Sequence, residues 1–137
     1  PKKNHDGCQM MGIFGIGIDL VSVKRIQKLN EKYGQRFADK ILCSEERELF
    51  FSEPNPVKFL ANRFAGKEAA VKALGTGFSQ GIIWKDIGVV KHKTGKPKLI
   101  FSEKIQLLLQ QKNITNSHIS LTDEGHWAQA FVVLEKD

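Results

Sequence analysis

Along the chain the apolar positions change period several times, and each change marks an element. Gly12 to Leu20 (GIFGIGIDL) alternates small with β-branched or aromatic residues, which predicts a strand ending at Asp19. After Ser22, an N-cap residue type, Val23, Ile26, Leu29 and Tyr33 recur at helical spacing and Gly34 supplies a stop, so a helix is expected near 22–33. Arg36 to Leu42 reads as a short helix, and Ser44 as the cap of another whose first turn carries Glu45 and Glu46. The strongest helical stretch, Val57 to Leu74, is rich in alanine and long side chains and ends at Gly75. Its interior Gly66 costs about 1 kcal/mol relative to alanine and implies close packing or close ligand approach.

Beyond the flexible Gly75–Gly81 connection, Trp84 to His92 reads as a strand, Thr94 to Pro97 as a turn and Lys98 to Phe101 as the returning strand. Ser102 caps a helix to about Lys112. Ser117 to Thr122 and Trp127 to Leu134 alternate as two further strands joined by Asp123 to His126. There is no internal repeat. The sum is a compact α+β domain with an antiparallel sheet packed against one long helix.

The 137 residues, 41% of them hydrophobic, suit one domain with its own core. Residues 1–10 are polar and read as a disordered leader, which leaves 11–137 as the domain. No apolar run approaches the roughly 20 residues that cross a bilayer, so no membrane association is expected. Cys8 and Cys43 show neither metal-ligand spacing nor the density of a disulfide scaffold, which fits a reducing, cytoplasmic setting. The formal net charge of +6 is unevenly spread. Six basic residues between Lys24 and Lys40 face only Glu31 and Asp39, so +4 of it lies there and an acidic partner is expected.

Two segments carry candidate chemistry. Gly15-Ile16-Gly17-Ile18-Asp19 lacks the third glycine of a dinucleotide fingerprint. What remains is an acid at a strand end with glycines that let a ligand or another backbone come near. A carboxylate that only caps the following helix fits the same residues. On the long helix, Arg63, Lys67, Glu68 and Lys72 set one acid among three bases. Glu68 and Lys72 could be a surface i,i+4 pair, worth about 0.2–0.5 kcal/mol. The same group also suits Mg2+ and phosphates, with the carboxylate on the hard cation and the lysines on phosphate oxygens.

GIGIDLVSVKRI, RFADKIL, FLANRFAGKEAAVKALGTGF, GKPKL and HISLTDEGHWAQAFVVLE, in that order, resemble the holo-acyl-carrier-protein synthase family from about Met11 to Glu135. The resemblance implies a single lobe of the 4'-phosphopantetheinyl transferase fold. It implies Mg2+-dependent transfer of 4'-phosphopantetheine from coenzyme A to a serine of acyl carrier protein, in fatty acid biosynthesis. Asp19 and Glu68 match the Mg2+ ligands, and Lys72 a lysine near the coenzyme A phosphates. Arg63, Lys67, Gly75, Thr76 and Gly77 would line the same site. Arg25, Arg36 and Lys40 match the positions that meet the carrier, and Lys96, Pro97 and Asp123 would face coenzyme A. Because related two-lobed enzymes set one site between lobes, a homotrimer with sites between subunits is expected, Lys96-Pro97 or 123–126 facing the neighbour's Glu68 and Lys72.

In one place the chain departs from the family. Where many members carry a histidine, it has Asp123, with His126 three residues on. The proton acceptor stays open between a Mg2+-bound water and Glu68. Two other classes compete. A nucleic-acid-binding module would use the same basic patch, but no recognition motif accompanies it, and Trp84 and Trp127 fall in strands expected to be packed. A structural assembly domain would leave Asp19 and Glu68 idle.

Overall fold

A computed structural model describes residues 11–137, so the expected leader lies outside the described residues. Strand β1 (Gly12–Ser22) leads into helices α1 (Val23–Tyr33), α2 (Gln35–Ile41), α3 (Ser44–Phe50) and α4 (Pro56–Leu74). A 3-10 turn at Trp84–Asp86 follows, then the hairpin β2 (Ile87–Lys91) and β3 (Pro97–Phe101). Helix α5 (Glu103–Gln111) and strands β4 (Ile114–Glu124) and β5 (Trp127–Lys136) complete the chain. The sheet expected from the sequence is two antiparallel sheets: a three-stranded one in the order β1-β5-β4, and the β2-β3 hairpin.

Helix α4 lies across β1 and β5 and forms the centre of the core. Its start is fixed by Asn55, whose Oδ1 accepts the Lys58 amide at 3.1 Å, with Pro56 in the first turn, where a missing N–H costs nothing. Its end is fixed by Gly75 at φ 80°, a left-handed conformation that a β-carbon disfavours. Ala128, Ala130, Val132 and Leu134 alternate inward from β5 and are buried.

On β1 the alternation runs opposite to that of an isolated domain. Gly17 and Val21 are buried, while Ile16, Ile18 and Leu20 are 59%, 54% and 56% exposed. The small residues face the helix because space there is nearly nil. A β-carbon on Gly15 would fall on the Ala73 carbonyl oxygen, and one on Gly17 on that of Ala69. Backbone therefore packs on backbone at two successive turns of α4.

Strand β1, expected to end at Asp19, runs on to Ser22, β4 spans Ile114–Glu124 against the expected 117–122, and local chemistry moves other boundaries. Cys43 rather than Ser44 caps α3: its amide donates to Glu46 Oε1 at 3.0 Å, which draws the helix start one residue forward. The expected 84–92 strand begins only at Ile87, because the Asp86 carboxylate accepts the Ile83 amide at 2.8 Å and curls the chain into the 3-10 turn. Trp84 packs there between Phe64 and Phe78, ring centroids 4.7 and 4.1 Å away. The 123–126 turn tightens to Gly125 and His126, since Asp123 and Glu124 still pair with Ala128 and Trp127. Trp127, expected to be packed, is 47% exposed.

The β1–α4 approach makes a checkable demand. Gly17→Ala should lose about 1–3 kcal/mol in urea unfolding, since the obstacle is backbone that cannot repack. Gly12→Ala, whose β-carbon meets nothing within 4 Å, should stay within about 0.5 kcal/mol of the parent. Equal stability of both variants would show that the helix does not depend on that gap.

Candidate active site

Asp19 stands on the helix-facing side of β1, two residues past Gly17, and opposite Ala130 on β5. Because α4 sits so close, Lys72 reaches it from the helix flank. The Lys72 ammonium donates to Asp19 Oδ1 and to the Ile18 carbonyl, both at 3.0 Å. Glu68, one turn earlier on α4, is half-buried. Burial raises the pKa of its carboxyl above the ordinary value and the Asp19 charge raises it further, while Lys72 and Arg25 act in the opposite direction. The surface pair expected from the i,i+4 spacing is thus replaced: Lys72 bonds to Asp19, and among the described residues Glu68 has neither ion pair nor hydrogen bond.

Two carboxylates that feel each other's charge are hard oxygen donors, a set that fits an ion such as Mg2+. No group of three or more His, Cys, Asp or Glu side chains with metal-binding geometry occurs among the described residues. An ion held by Asp19 and Glu68 would therefore take the rest of its shell from water or from phosphate oxygens.

Arg25 approaches this cluster from α1. Its guanidinium lies 5.4 Å from the centre of the Phe64 ring, and its charge is felt at Glu68. Ser22, Lys24, Lys28 and Lys32 line a shallow groove beside it. Arg36 and Lys40 are exposed on α2, one turn apart. The neighbouring Asp39 is engaged by Gln35 at 3.1 Å and Arg47 at 3.5 Å.

Lys67 is not part of this cluster. It is fully buried, and its ammonium donates to Glu46 Oε1 at 2.6 Å, to the Trp84 carbonyl at 3.2 Å and to the Ile87 carbonyl. The second Glu46 oxygen accepts the Val89 amide at 2.8 Å. Burial lowers the Lys67 pKa, and Glu46 partly restores it. Sequence patterning places Glu46 only in the first turn of α3, because the Cys43-x-x-Glu46 spacing carries cysteine where a capping box has serine or threonine.

Arg63 is buried on a different side of α4. Its Nε donates to the Val89 carbonyl at 3.3 Å, and its guanidinium stands 3.9 Å over the Phe59 ring. With Lys58, Asn62, Lys91 and Pro97 it lines a cleft of about 590 Å³. Asp123 does not line it but holds two residues that do, accepting from Lys58 at 3.0 Å and Asn62 at 3.3 Å. Lys96 lines an adjoining hollow with His118 rather than this cleft. The Gly75, Thr76 and Gly77 amides all turn back onto the Val71 carbonyl, at 3.1, 3.2 and 3.3 Å, so that turn offers no free N–H to an anion.

The matching family model, described as the 4'-phosphopantetheinyl transferase superfamily, covers residues 15–132. The chain belongs to that superfamily. It is 46% identical over 124 residues to the holo-[acyl-carrier-protein] synthase of Nitrosospira multiformis, covering 90% of this chain and 99% of the relative. It is 43% identical, over 90% of this chain and 98% of the relative, to the Vibrio cholerae protein of the same name. The Neisseria meningitidis synthase structure superposes with a TM-score of 0.88 at 42% identity, over 91% of this chain and all of that one. The Bacillus anthracis synthase, solved in complex with coenzyme A (3',5'-ADP), gives 0.77 at 35% identity, over 93% of this chain and all of that one. Within the superfamily the enzyme is of the holo-[acyl-carrier-protein] synthase type.

The raised Glu68 pKa fixes the sign of a stability effect. A group that binds its proton more tightly when folded contributes stability that is present below its unfolded pKa and lost as pH rises through the folded one. Glu68→Gln mimics the protonated form. It should raise the melting temperature at pH 7 in the absence of divalent ions, and the difference should fade as pH falls toward 4.5 and below. A variant less stable than the parent at pH 7 would contradict the burial and charge environment given above.

Proposed function

We propose that the enzyme transfers 4'-phosphopantetheine from coenzyme A to a serine of an acyl carrier protein, with Mg2+ held by Asp19 and Glu68, releasing adenosine 3',5'-bisphosphate. The observation that carries the reading is the convergence of Asp19, Glu68 and Lys72 through the β1–α4 packing. In the step, the serine oxygen forms a bond to the β-phosphorus as the bond from that phosphorus to the bridging anhydride oxygen breaks. The electron pair goes to the departing bisphosphate. Mg2+ bound there would offset charge on the pyrophosphate oxygens. Lys72, half exposed, has the reach to meet the same oxygens. The serine proton would pass to Glu68 or to a water held at the same site.

The carrier would dock on α1 and α2, where Arg25, Arg36 and Lys40 present positive charge to an acidic partner. Arg25 links that surface to the acid pair. The cleft of Lys58, Arg63 and Lys91 suits the adenosine and 3'-phosphate end of coenzyme A, with Pro97 in its lining and Asp123 holding Lys58. Lys67 serves the fold instead. Fatty acid biosynthesis follows as the setting if the carrier is of that type.

Cleft and acid pair are held apart within one chain. Lys72 on α4 reaches β1, whereas Asn62 on α4 reaches β4, and β5 lies between those strands. Two strand spacings, about 10 Å, and the body of the helix separate them. One coenzyme A shared between two chains would use the acid pair of one and the cleft of the next. The outward face of β1 and β5 supports assembly, since Ile16, Ile18, Leu20, Trp127 and Phe131 leave there an apolar surface of the kind subunits bury. This supports a homotrimer with shared sites.

The test is direct. Apo carrier mixed with the enzyme, coenzyme A and Mg2+ should gain the mass of phosphopantetheine by mass spectrometry. Asp19→Ala and Glu68→Ala, folded by circular dichroism, should lose at least about 100-fold in rate, as expected for loss of a metal-centred electrostatic contribution. Transfer at the parent rate in either variant, or in thorough chelator, would remove the assigned centre.

A further inference from the structure

Lys72 has two properties that together suggest a task beyond meeting phosphate. Its ammonium sits on Asp19 Oδ1 at 3.0 Å and takes the Ile18 carbonyl as a second acceptor, so it occupies one oxygen of a proposed metal ligand. The side chain is 50% exposed, whereas that of Asp19 is 15% exposed. The carboxylate is thus the more buried partner, and the ammonium the one with solvent beside it. Glu68, by contrast, makes no ion pair among the described residues, and Lys72 and Arg25 act on it only through space.

A dication entering between Asp19 and Glu68 meets a positive charge already seated on one of its two ligands. Either the ammonium withdraws or the ion binds weakly. Withdrawal is unfavourable in a site without phosphate, because the ammonium gives up a carboxylate and a carbonyl for water alone. Once a pyrophosphate lies beside the site, the ammonium has an anion to move to and Asp19 is released. We propose that Lys72 is an exchangeable counter-ion of Asp19 that makes binding of the divalent ion and of the pyrophosphate substrate mutually dependent.

By linkage, whatever factor the substrate contributes to metal affinity, the metal contributes to substrate affinity. Lys72 would serve as a positioning residue in the empty enzyme, holding the Asp19 carboxylate in place without a metal. This inference rests on the metal and substrate assigned under the proposed function.

Mn2+ serves as the probe, with the free ion followed by electron paramagnetic resonance in titrations of the whole enzyme with and without coenzyme A. Protein-free titrations correct for Mn2+ bound by coenzyme A itself. In the parent enzyme, coenzyme A should tighten Mn2+ binding by about tenfold or more, within the usual span of coupling between sites. Lys72→Met keeps the apolar stem and removes the charge. It should bind Mn2+ alone about tenfold more tightly than the parent, with coenzyme A adding less than about twofold. Lys72→Gln should behave alike, and Lys72→Arg should restore the coupling. Met and Gln variants that bind Mn2+ alone no more tightly than the parent, or that keep the full coupling, would overturn the counter-ion role while leaving the metal site standing. Absence of Mn2+ binding in every variant, with coenzyme A present, would remove the metal assignment and this inference with it.

Discussion

The site depends on how closely helix α4 can approach strand β1. Gly15 and Gly17 meet the Ala73 and Ala69 carbonyls with no room for a β-carbon, so the strand and helix backbones set the spacing instead of side chains. Interiors this dense transmit position rigidly. Asp19, on the same face two residues after Gly17, and Lys72, one residue before Ala73, therefore meet within hydrogen-bonding distance although they belong to different elements. The glycines that resemble part of a nucleotide fingerprint act on the helix that carries Glu68 and Lys72.

A second constraint holds the other side of α4. Lys67 and Glu46 form a buried ion pair whose charges are satisfied by two backbone carbonyls and two backbone amides, tying α4 to α3 and to the start of β2. Such a pair contributes little net stability against an apolar replacement, yet loss of one partner strands a charge in the core. Its value lies in geometry. Val89, whose amide donates to Glu46, gives its carbonyl to Arg63, so the network reaches the wall of the cleft. Neighbours in sequence thus divide the labour: Lys67 fixes the helix in place and Glu68 faces Asp19.

Much of this was legible in the sequence where local chemistry decides the outcome. Helix α4 announces itself through its alanines, the Gly75 stop and its length, and the Asn55 cap seen in the structure extends the expected 57–74 span by one residue. The strands β1, β4 and β5 follow from period-two alternation. Asp19, Glu68 and Lys72 were joined only by the family resemblance, and the structure brings those three side chains together. Lys67 was misplaced because nothing in a lysine five residues from another says which lies over the core. That depends on Glu46, a partner 21 residues away. The 3-10 turn before β2 was missed for a similar reason, since Asp86 bends the chain through bonds to Ile83, Ser102 and Lys104. The outward-facing apolar residues of β1 were visible as an alternation, but not which phase of it faced the helix until the space beside each glycine was known.

The arrangement leaves an acid pair by β1 and a basic cleft by β4 on opposite flanks of one helix. Each is incomplete for a ligand as long as coenzyme A. In the proposed function one coenzyme A joins them across neighbouring chains. A crystal structure of the enzyme with coenzyme A and Mn2+, with the metal located by its anomalous signal, tests this most directly. The predicted result is Mn2+ bonded to Asp19 and Glu68 of one chain and to a coenzyme A phosphate, whose adenosine end lies in the Lys58, Arg63 and Lys91 cleft of the next chain. A metal peak away from the two carboxylates, or a whole coenzyme A contained within one chain, would contradict it.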